Sequence, residues 1–297
     1  PAIGFGTWQL EGKTAHAMVE TALELGYRHI DTAHIYQNEQ EVGDAIAASA
    51  IDRGDIFLTT KIWIDSFKDG DLQRAAEVSV KKLGGPVDLL LLHWPKPDVP
   101  LAETIGALNA VKASGLTRGI GLSNFPSKLL KEAAGLSEAP LITDQVEYHP
   151  YLSQQAVLQT LRDMGGALTA WSPIAQGRVA TDPVLNAIGK THGKTASQVT
   201  LRWLVQQEGV IAIPRTTKAS RAAENLAVFD FSLSDAEMAA IFDPCAGTTP
   251  FVMTPGLTTT ECVHEADHVY LKATFNADPN DARIDDPGND VMAQGKP

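Results

Sequence analysis

Short apolar runs alternate with amphipathic stretches along most of the chain. The runs are rich in leucine and β-branched residues, and glycine, proline or polar residues bound each of them. Because they are apolar almost throughout rather than at every second position, they predict strands buried on both faces. The predicted strands cover residues 2–6, 29–33, 56–62, 87–94, 118–124, 141–148, 167–173 and 210–215.

One amphipathic helix is predicted after each strand, and glycines such as Gly26 and Gly115 are expected to end several of them. Strict alternation of strands and helices predicts a parallel sheet. The eight units fill residues 1–244 and close most simply into one α/β domain, a (β/α)8 TIM barrel, which takes ~250 residues. An open doubly wound sheet is the alternative, but Gly119 and Gly121 lack the third glycine of its dinucleotide-binding fingerprint.

The alternation stops near Pro244, and residues 245–297 are predicted to be partly irregular or disordered, above all the Asp-, Asn-, Pro- and Gly-rich residues 278–297. Within this segment, His264-Glu265-Ala266-Asp267-His268 matches the H-E-x-x-H zinc motif, which needs both histidines on one face of a helix. No helix and no third ligand are evident there, so we expect no metal site. Elemental analysis for zinc tests this expectation.

Composition narrows the class of protein. The chain has 24 basic and 36 acidic residues, a net charge of −12, so nucleic acid and anionic membranes are poor partners. The apolar run at 87–94 is far shorter than the ~18 residues that indicate a membrane span. Two cysteines cannot form a disulfide framework, and residues 1–10 do not resemble a signal peptide. We therefore expect a cytoplasmic protein.

Polar residues at the predicted strand ends carry the candidate chemistry, because barrel enzymes build their active sites there. Asp31, Lys61 and His93 end the second, third and fourth strands, and Tyr36 follows the second. An ammonium at Lys61, held by Asp31, is expected to lower the tyrosine pKa from its usual ~10 and make Tyr36 a general acid. His93 would orient a carbonyl oxygen. Each of these residues also has a purely structural interpretation: Asp31 and Lys61 as a buried ion pair, His93 as a core histidine and Tyr36 as a packing residue.

Longer motifs resemble those of the aldo-keto reductases over residues 1–244. They are Gly6-Thr7-Trp8, the run from Gly26 through Asp31 to Tyr36, Asn38 and Glu39, Leu91-Leu92-His93-Trp94-Pro95, Gly121-Leu122-Ser123-Asn124-Phe125, the run from Gln145 to Tyr151, and Ile213-Pro214-Arg215 with Arg221, Glu224 and Asn225. The resemblance implies a monomeric barrel that reduces small aldehydes and ketones with NADPH. It makes Tyr36 the general acid, assisted by Lys61, Asp31 and His93.

The resemblance also implies which residues hold the cofactor and the substrate. Cofactor contacts fall at Thr7, at Ser123, Asn124 and Gln145 (nicotinamide carboxamide), at Trp171 (nicotinamide ring), at Ser172, Gln176 and Gly177 (pyrophosphate), at Arg215, Thr216 and Arg221 (2′-phosphate), and at Glu224 and Asn225 (adenine). The substrate pocket falls at Trp8, Trp63 and Trp94, although Trp94 has an equally good reading as packing at the barrel mouth. Residues 171–177 are similar to bacterial members that reduce small keto-sugars and ketones.

Two other functions stay open from the sequence. One is a cofactor-binding regulatory or structural barrel with little turnover. The other is alcohol oxidation with NAD(P); Arg215 and Arg221 argue against NAD, because without a 2′-phosphate both charges lack a ligand partner. The segment that follows Pro244 matches nothing in the family, so the sequence does not identify the substrate.

Overall fold

The computed structural model describes residues 1–241 and the backbone of two strands, Leu257–Glu265 and His268–Phe275. The chain divides into two compact units, Pro1–Ile241 and Phe242–Pro297. The domain boundary expected at 244/245 and the predicted disordered residues 278–297 lie outside the described residues. Among the helices that are described, none is long and apolar enough to cross a membrane.

The first unit is built around one sheet of eight strands that follow one another in chain order. Each neighbouring pair is parallel, and Ile3 forms a parallel bridge with Ala212, which joins the last strand to the first. This closure confirms the predicted (β/α)8 barrel and excludes the open sheet. The strands are β1 (Phe5–Gly6), β2 (His29–Asp31), β3 (Phe57–Ile62), β4 (Val87–Leu92), β5 (Thr117–Ser123), β6 (Leu141–Glu147), β7 (Ala167–Trp171) and β8 (Val210–Ala212).

Helices follow every strand and cover the outside of the sheet. They are α1 (Gly12–Leu25), α2 (Glu39–Ala48), α3 (Asp71–Lys82), α4 (Leu101–Ala113), α5 (Ser127–Leu136), α6 (Gln155–Asp163), α7 (Pro183–His192), α8 (Ala196–Gln206), α9 (Ala219–Leu226) and α10 (Asp235–Ile241). The sequence analysis missed α7 and α10. The start of α7 was readable, because Asp182 caps the amides of Val184 and Leu185 and Pro183 occupies the first turn.

The N-terminal end of the barrel is held together by one buried carboxylate. Asp88, at the start of β4, is 7% exposed. It accepts hydrogen bonds from Arg53 Nη1 at 2.9 Å, Arg118 Nη1 at 2.8 Å and the amide of Leu58 at 3.0 Å. These contacts tie β3, β4 and β5 together. Since barrel active sites lie at the opposite end of the strands, this cluster serves stability.

The second unit contains an antiparallel pair, β9 (Leu257–Glu265) and β10 (His268–Phe275). The sequence analysis predicted no element here, although the threonine- and valine-rich sequence has high strand propensity. His264 and Glu265 end β9, and His268 begins β10. The H-E-x-x-H match therefore does not lie on a helix, and the shared helical face that gives this motif its meaning is absent from these strands.

A second buried carboxyl group, that of Asp144 on β6, has far fewer contacts. Its Oδ1 accepts a 3.4 Å hydrogen bond from the amide of Phe125, and its Oδ2 has no partner among residues 1–241. Burial raises the pKa of Asp144 to about 8, and the Phe125 amide only partly opposes this. The group is therefore largely protonated in the folded protein at neutral pH, whereas an unfolded chain ionises it near ~3.9.

The raised pKa of Asp144 predicts a pH-dependent cost to stability. Below about pH 4 both states are protonated, and as the pH rises towards about 8 the unfolded state gains stability by ionising. Asp144→Asn removes this loss. Its unfolding free energy relative to wild type should therefore rise by up to ~1.4 kcal/mol per pH unit across that window. Urea unfolding at several pH values measures it.

Asp163→Asn, at an exposed position on α6, is the matched control and should show no such trend. A difference between Asp144→Asn and wild type that stays constant from pH 4 to pH 8 would show that Asp144 is ionised in the folded protein.

Candidate active site

An ion pair with no exposure to solvent lies at the C-terminal ends of β2 and β3. Lys61 is 0% exposed and Asp31 is 2% exposed. Lys61 Nζ donates to Asp31 Oδ1 at 2.6 Å and to the carbonyl oxygen of Thr32 at 2.8 Å. The second carboxylate oxygen, Asp31 Oδ2, accepts from Gln145 Nε2 at 2.7 Å. Asp31 thus links the end of β3 to the end of β6.

Lys61 stays charged although it is buried, because its partners favour the ammonium form. Burial alone lowers the pKa of Lys61, but the charge of Asp31 and the hydrogen bonds to Asp31 and Tyr36 outweigh burial, and the net pKa is raised. Lys61 is therefore an ammonium throughout the physiological range. A buried ammonium is costly unless it is paired, so its position next to Tyr36 requires Asp31.

Tyr36 ends a short 3-10 turn, His34–Tyr36, that follows β2. Its ring centroid lies 5.1 Å from Lys61 Nζ. Burial raises the pKa of its hydroxyl, while the charge of Lys61 and a hydrogen bond from it lower that pKa without cancelling the rise. The sequence analysis had the direction of the Lys61 effect right and the net direction wrong, because it left burial out. Tyr36 consequently keeps its proton at neutral pH, as a general acid must.

His93 follows β4 and contacts two aromatic rings edge-on. Its ring centroid lies 5.7 Å from that of Tyr36 and 5.1 Å from that of Trp63. Burial, reinforced by the charge of Lys61, lowers the pKa of His93 well below its ordinary value. The imidazole is therefore neutral at pH 7. Its Nδ1 is buried and has no hydrogen-bond partner within residues 1–241.

Asn124 joins three strand ends. It has a left-handed backbone, with φ of 65°. Its Nδ2 donates to the carbonyl oxygen of His93 and to Ser123 Oγ, both at 3.0 Å, and its Oδ1 accepts from Trp171 Nε1 at 3.0 Å. These bonds place the predicted ring-stacking residue Trp171 on the same network as His93. Both amide protons of Asn124 are used, so only its oxygen has capacity left for a ligand.

Backbone contacts lock the remaining strand ends to this network. The hydroxyl of Ser123 donates to the carbonyl oxygen of Gln145 at 2.7 Å. The amide and hydroxyl of Thr7 donate to the carbonyl oxygen of Asp31 at 2.9 and 3.0 Å. Thr7 is fully buried. Its two bonds to the Asp31 carbonyl therefore help to fix the position of Asp31.

The predicted pyrophosphate residues lie in the loop between β7 and α7. Ser172, Gln176 and Gly177 have φ of 46°, 53° and 91°, and Gln176 and Gly177 are exposed. Tyr151 braces this loop from the β6 side, since its hydroxyl donates to Asp182 Oδ2 at 2.9 Å and its ring lies 4.5 Å from the Arg178 guanidinium. Within the loop, the amides of Ala175 and Gly177 donate to the carbonyl oxygens of Ser172 and Ile174, both at 2.9 Å.

The predicted phosphate and adenine residues lie at the end of β8 and on α9. Arg215 and Thr216 precede the helix, and Arg221 is exposed in its first turn. Asn225 is buried, whereas Glu224 Oε1 accepts a 2.6 Å hydrogen bond from Thr195 Oγ1 at the start of α8. Two cations and a hydroxyl at a helix N-terminus suit an anionic group.

The structure thus brings the tetrad of Asp31, Tyr36, Lys61 and His93 together with Gln145, and gathers the phosphate candidates on α9. Trp8 and Trp63 lie after β1 and β3. Trp94 directly follows His93 and is half-buried. The sequence analysis missed Gln9, which contacts Arg215, and no local signal marks it, because its partner is 206 residues away in sequence.

Comparisons with known proteins identify the family to which this chain is similar. The model of the aldo/keto reductase family matches residues 2–243. The methylglyoxal reductase DkgB of Yersinia pestis is 41% identical over 245 residues, which cover 81% of this chain and 91% of that protein. A crystal structure provisionally named 2,5-diketo-D-gluconic acid reductase B is 52% identical with a TM-score of 0.81, covering 82% of this chain and 87% of its own.

A Bombyx mori aldo-keto reductase solved in complex with NADP is 33% identical with a TM-score of 0.75. The match covers 82% of this chain and 88% of that one.

Because the Lys61–Asp31 pair is buried, we expect removal of the Asp31 carboxylate to lower the unfolding free energy strongly. Asp31→Ala leaves the Lys61 ammonium with the Thr32 carbonyl and Tyr36 as partners. We expect a loss of ~3–5 kcal/mol in unfolding free energy by urea titration at pH 7. Arg74, exposed on α3, pairs with Asp71, and Asp71→Ala is the control, with an expected loss below ~1 kcal/mol. A similarly small loss for Asp31→Ala would mean that Lys61 is not charged when buried.

Proposed function

Since the chain belongs to the aldo/keto reductase family, we propose that it reduces small aldehydes and ketones to alcohols with NADPH, and that Tyr36 is the general acid. The observation that carries the proposal is the fully buried Lys61 ammonium, held by Asp31 beside a protonated tyrosine and a neutral histidine. The names of the similar proteins, a methylglyoxal reductase and a diketogluconic acid reductase, favour small dicarbonyl compounds and keto-sugars as substrates.

The site residues fit a phosphorylated dinucleotide. Arg215, Thr216 and Arg221 at the start of α9 would hold the 2′-phosphate, in a chain whose overall charge of −12 otherwise repels anions. Ser172, Gln176 and Gly177 of the β7–α7 loop, all with a left-handed backbone, would lie along the pyrophosphate. Trp171 would stack on the nicotinamide, with the free capacity of the Asn124 and Gln145 side-chain oxygens left for its carboxamide. Glu224 and Asn225 would contact the adenine.

NADPH, when bound, supplies the hydride that adds to the carbonyl carbon. The chain then has to place the carbonyl and deliver a proton to its oxygen. A neutral His93 donates a hydrogen bond that orients this oxygen. Tyr36 gives up its hydroxyl proton to it, and the Lys61 ammonium stabilises the tyrosinate that forms. Asp31 keeps Lys61 in place and charged, and Trp8, Trp63 and Trp94 would enclose the substrate.

The general acid is tested by Tyr36→Phe. We expect turnover of small aldehydes, ketones and keto-sugars to fall by ~10²–10⁴-fold. The Kd for NADPH, measured by tryptophan fluorescence, should change little, because the ring is retained. NADPH and NADH consumption across the panel provides the measurement. Tyr148→Phe, whose hydroxyl contacts Gln207 away from the tetrad, is the control.

Normal turnover in Tyr36→Phe would overturn the assignment of the acid. A wild-type protein that binds NADPH tightly but turns over nothing in the panel would instead favour the cofactor-binding regulatory barrel.

Cofactor selectivity is tested at Arg221. Arg221→Ala removes one charge from the proposed 2′-phosphate site. The Kd for NADPH should rise ~10–100-fold, as for a lost charge-assisted hydrogen bond, while the Kd for NADH stays the same. Arg162→Ala, exposed on α6, controls for the loss of a surface charge. Equal weakening of NADPH and NADH would place Arg221 elsewhere on the cofactor.

A further inference from the structure

The loop after β1, Thr7–Leu10, carries a tryptophan with little support of its own. The Trp8 side chain is 46% exposed, so its own packing does not determine where the ring lies. The backbone of the loop must do so. The next residue, Gln9, has φ of 57°, a left-handed conformation that is strained for a non-glycine residue and persists only where neighbouring contacts enforce it.

One set of contacts comes from Asn38, at the start of α2. Its Nδ2 donates to the carbonyl oxygens of Thr7 and Leu10, at 2.9 and 2.8 Å. Its Oδ1 accepts from Thr32 Oγ1 at 2.8 Å, which fixes the orientation of the amide. Asn38 therefore holds the two ends of the loop and leaves its middle, Trp8 and Gln9, to another partner.

That partner is Arg215, at the end of β8. Its Nε donates to the carbonyl oxygen of Trp8 at 2.8 Å. Its Nη2 donates to Gln9 Oε1 at 3.0 Å and to the Gln9 carbonyl oxygen at 3.5 Å. The guanidinium thus grips the two residues that Asn38 does not reach, across the seam where β8 closes on β1.

Arg215 also keeps donors for a ligand. A guanidinium carries five N–H groups in a rigid plane. Nε and Nη2 face the loop, while Nη1 has no hydrogen-bond partner within residues 1–241. The same side chain can therefore hold the loop and a phosphate at once. A lysine, with one nitrogen on a flexible stem, has no such planar fork.

We propose that Arg215 is a positioning residue for the carbonyl pocket as well as a phosphate ligand, so that one guanidinium couples the cofactor's phosphate end to the Trp8 loop. This rests on the proposed function. It predicts that losing the Arg215 contacts disturbs carbonyl binding, whereas losing Arg221, which serves the phosphate alone, does not.

Three variants separate the two roles. Gln9→Ala removes the side-chain acceptor without changing the left-handed strain, since alanine also carries a Cβ. It should raise KM for the carbonyl ~2–10-fold, the range of one lost hydrogen bond, with kcat and the NADPH Kd unchanged. Arg215→Lys should raise both the carbonyl KM and the NADPH Kd. Arg221→Ala should raise only the NADPH Kd.

Hydrogen exchange measures the stability of the Trp8 loop in an experiment that does not depend on enzyme turnover. Peptides spanning residues 7–11 should exchange faster in Gln9→Ala and Arg215→Lys than in wild type. In Arg221→Ala their exchange rate should equal that of wild type. Adding Gln9→Ala to Arg215→Lys should change carbonyl KM no further, because the contact is already lost. Unchanged exchange in Arg215→Lys, or an equal carbonyl KM in Arg215→Lys and wild type, would overturn the inference. If the wild-type protein shows no turnover but exchange changes in the variants as expected, the proposed function is wrong and the loop contact is not.

Discussion

The ammonium of Lys61 is the charge around which the site is arranged. It lies at the end of β3 with no exposure to water, where an unpaired charge costs several kcal/mol. Asp31 offsets that cost at 2.6 Å, and Gln145 in turn holds Asp31. The same charge reinforces the neutral state of His93 and opposes the rise in the Tyr36 pKa that burial causes. Burial therefore sets the protonation of the two groups proposed to meet the carbonyl oxygen, and the Lys61 charge reinforces that state at His93 and opposes it at Tyr36.

The barrel separates this chemistry from the contacts that hold the fold together. At the N-terminal end, Asp88 on β4 contacts β3 through the Leu58 amide and β5 through Arg118, and Arg53 adds a third hydrogen bond. At the C-terminal end, polar side chains bind mainly each other and the strand-end backbone. Asn124 ties His93 to Trp171, and Arg215 ties β8 to the loop after β1. Such a shell of fixed polar groups costs little reorganisation when charge develops on a substrate.

The sequence predicts much of this arrangement because the relevant signals are local. Continuous apolar runs placed the eight strands of the barrel to within a few residues, and strand ends placed Asp31, Lys61 and His93. The predicted direction of the Tyr36 pKa shift was wrong because burial is a property of the packed structure. The hydrogen bond between Arg215 and Gln9 could not be predicted for a similar reason, since it joins residues that come together only when the barrel closes. The helix α7 was missed even though its Asp182-Pro183 start was a readable signal.

In the proposed mechanism, the buried Lys61–Asp31 pair serves proton transfer. The double variant Asp31→Asn/Lys61→Met tests it most directly, because it removes both charges together and leaves no unpaired buried ion. Turnover of a simple aldehyde is measured beside urea unfolding and NADPH binding. We predict a folded protein within ~3 kcal/mol of wild-type stability, because the Thr32 carbonyl loses its donor, with an unchanged Kd for NADPH and turnover lowered ~10²–10⁴-fold. Turnover within a few-fold of wild type in that folded variant would show that proton transfer does not need the pair.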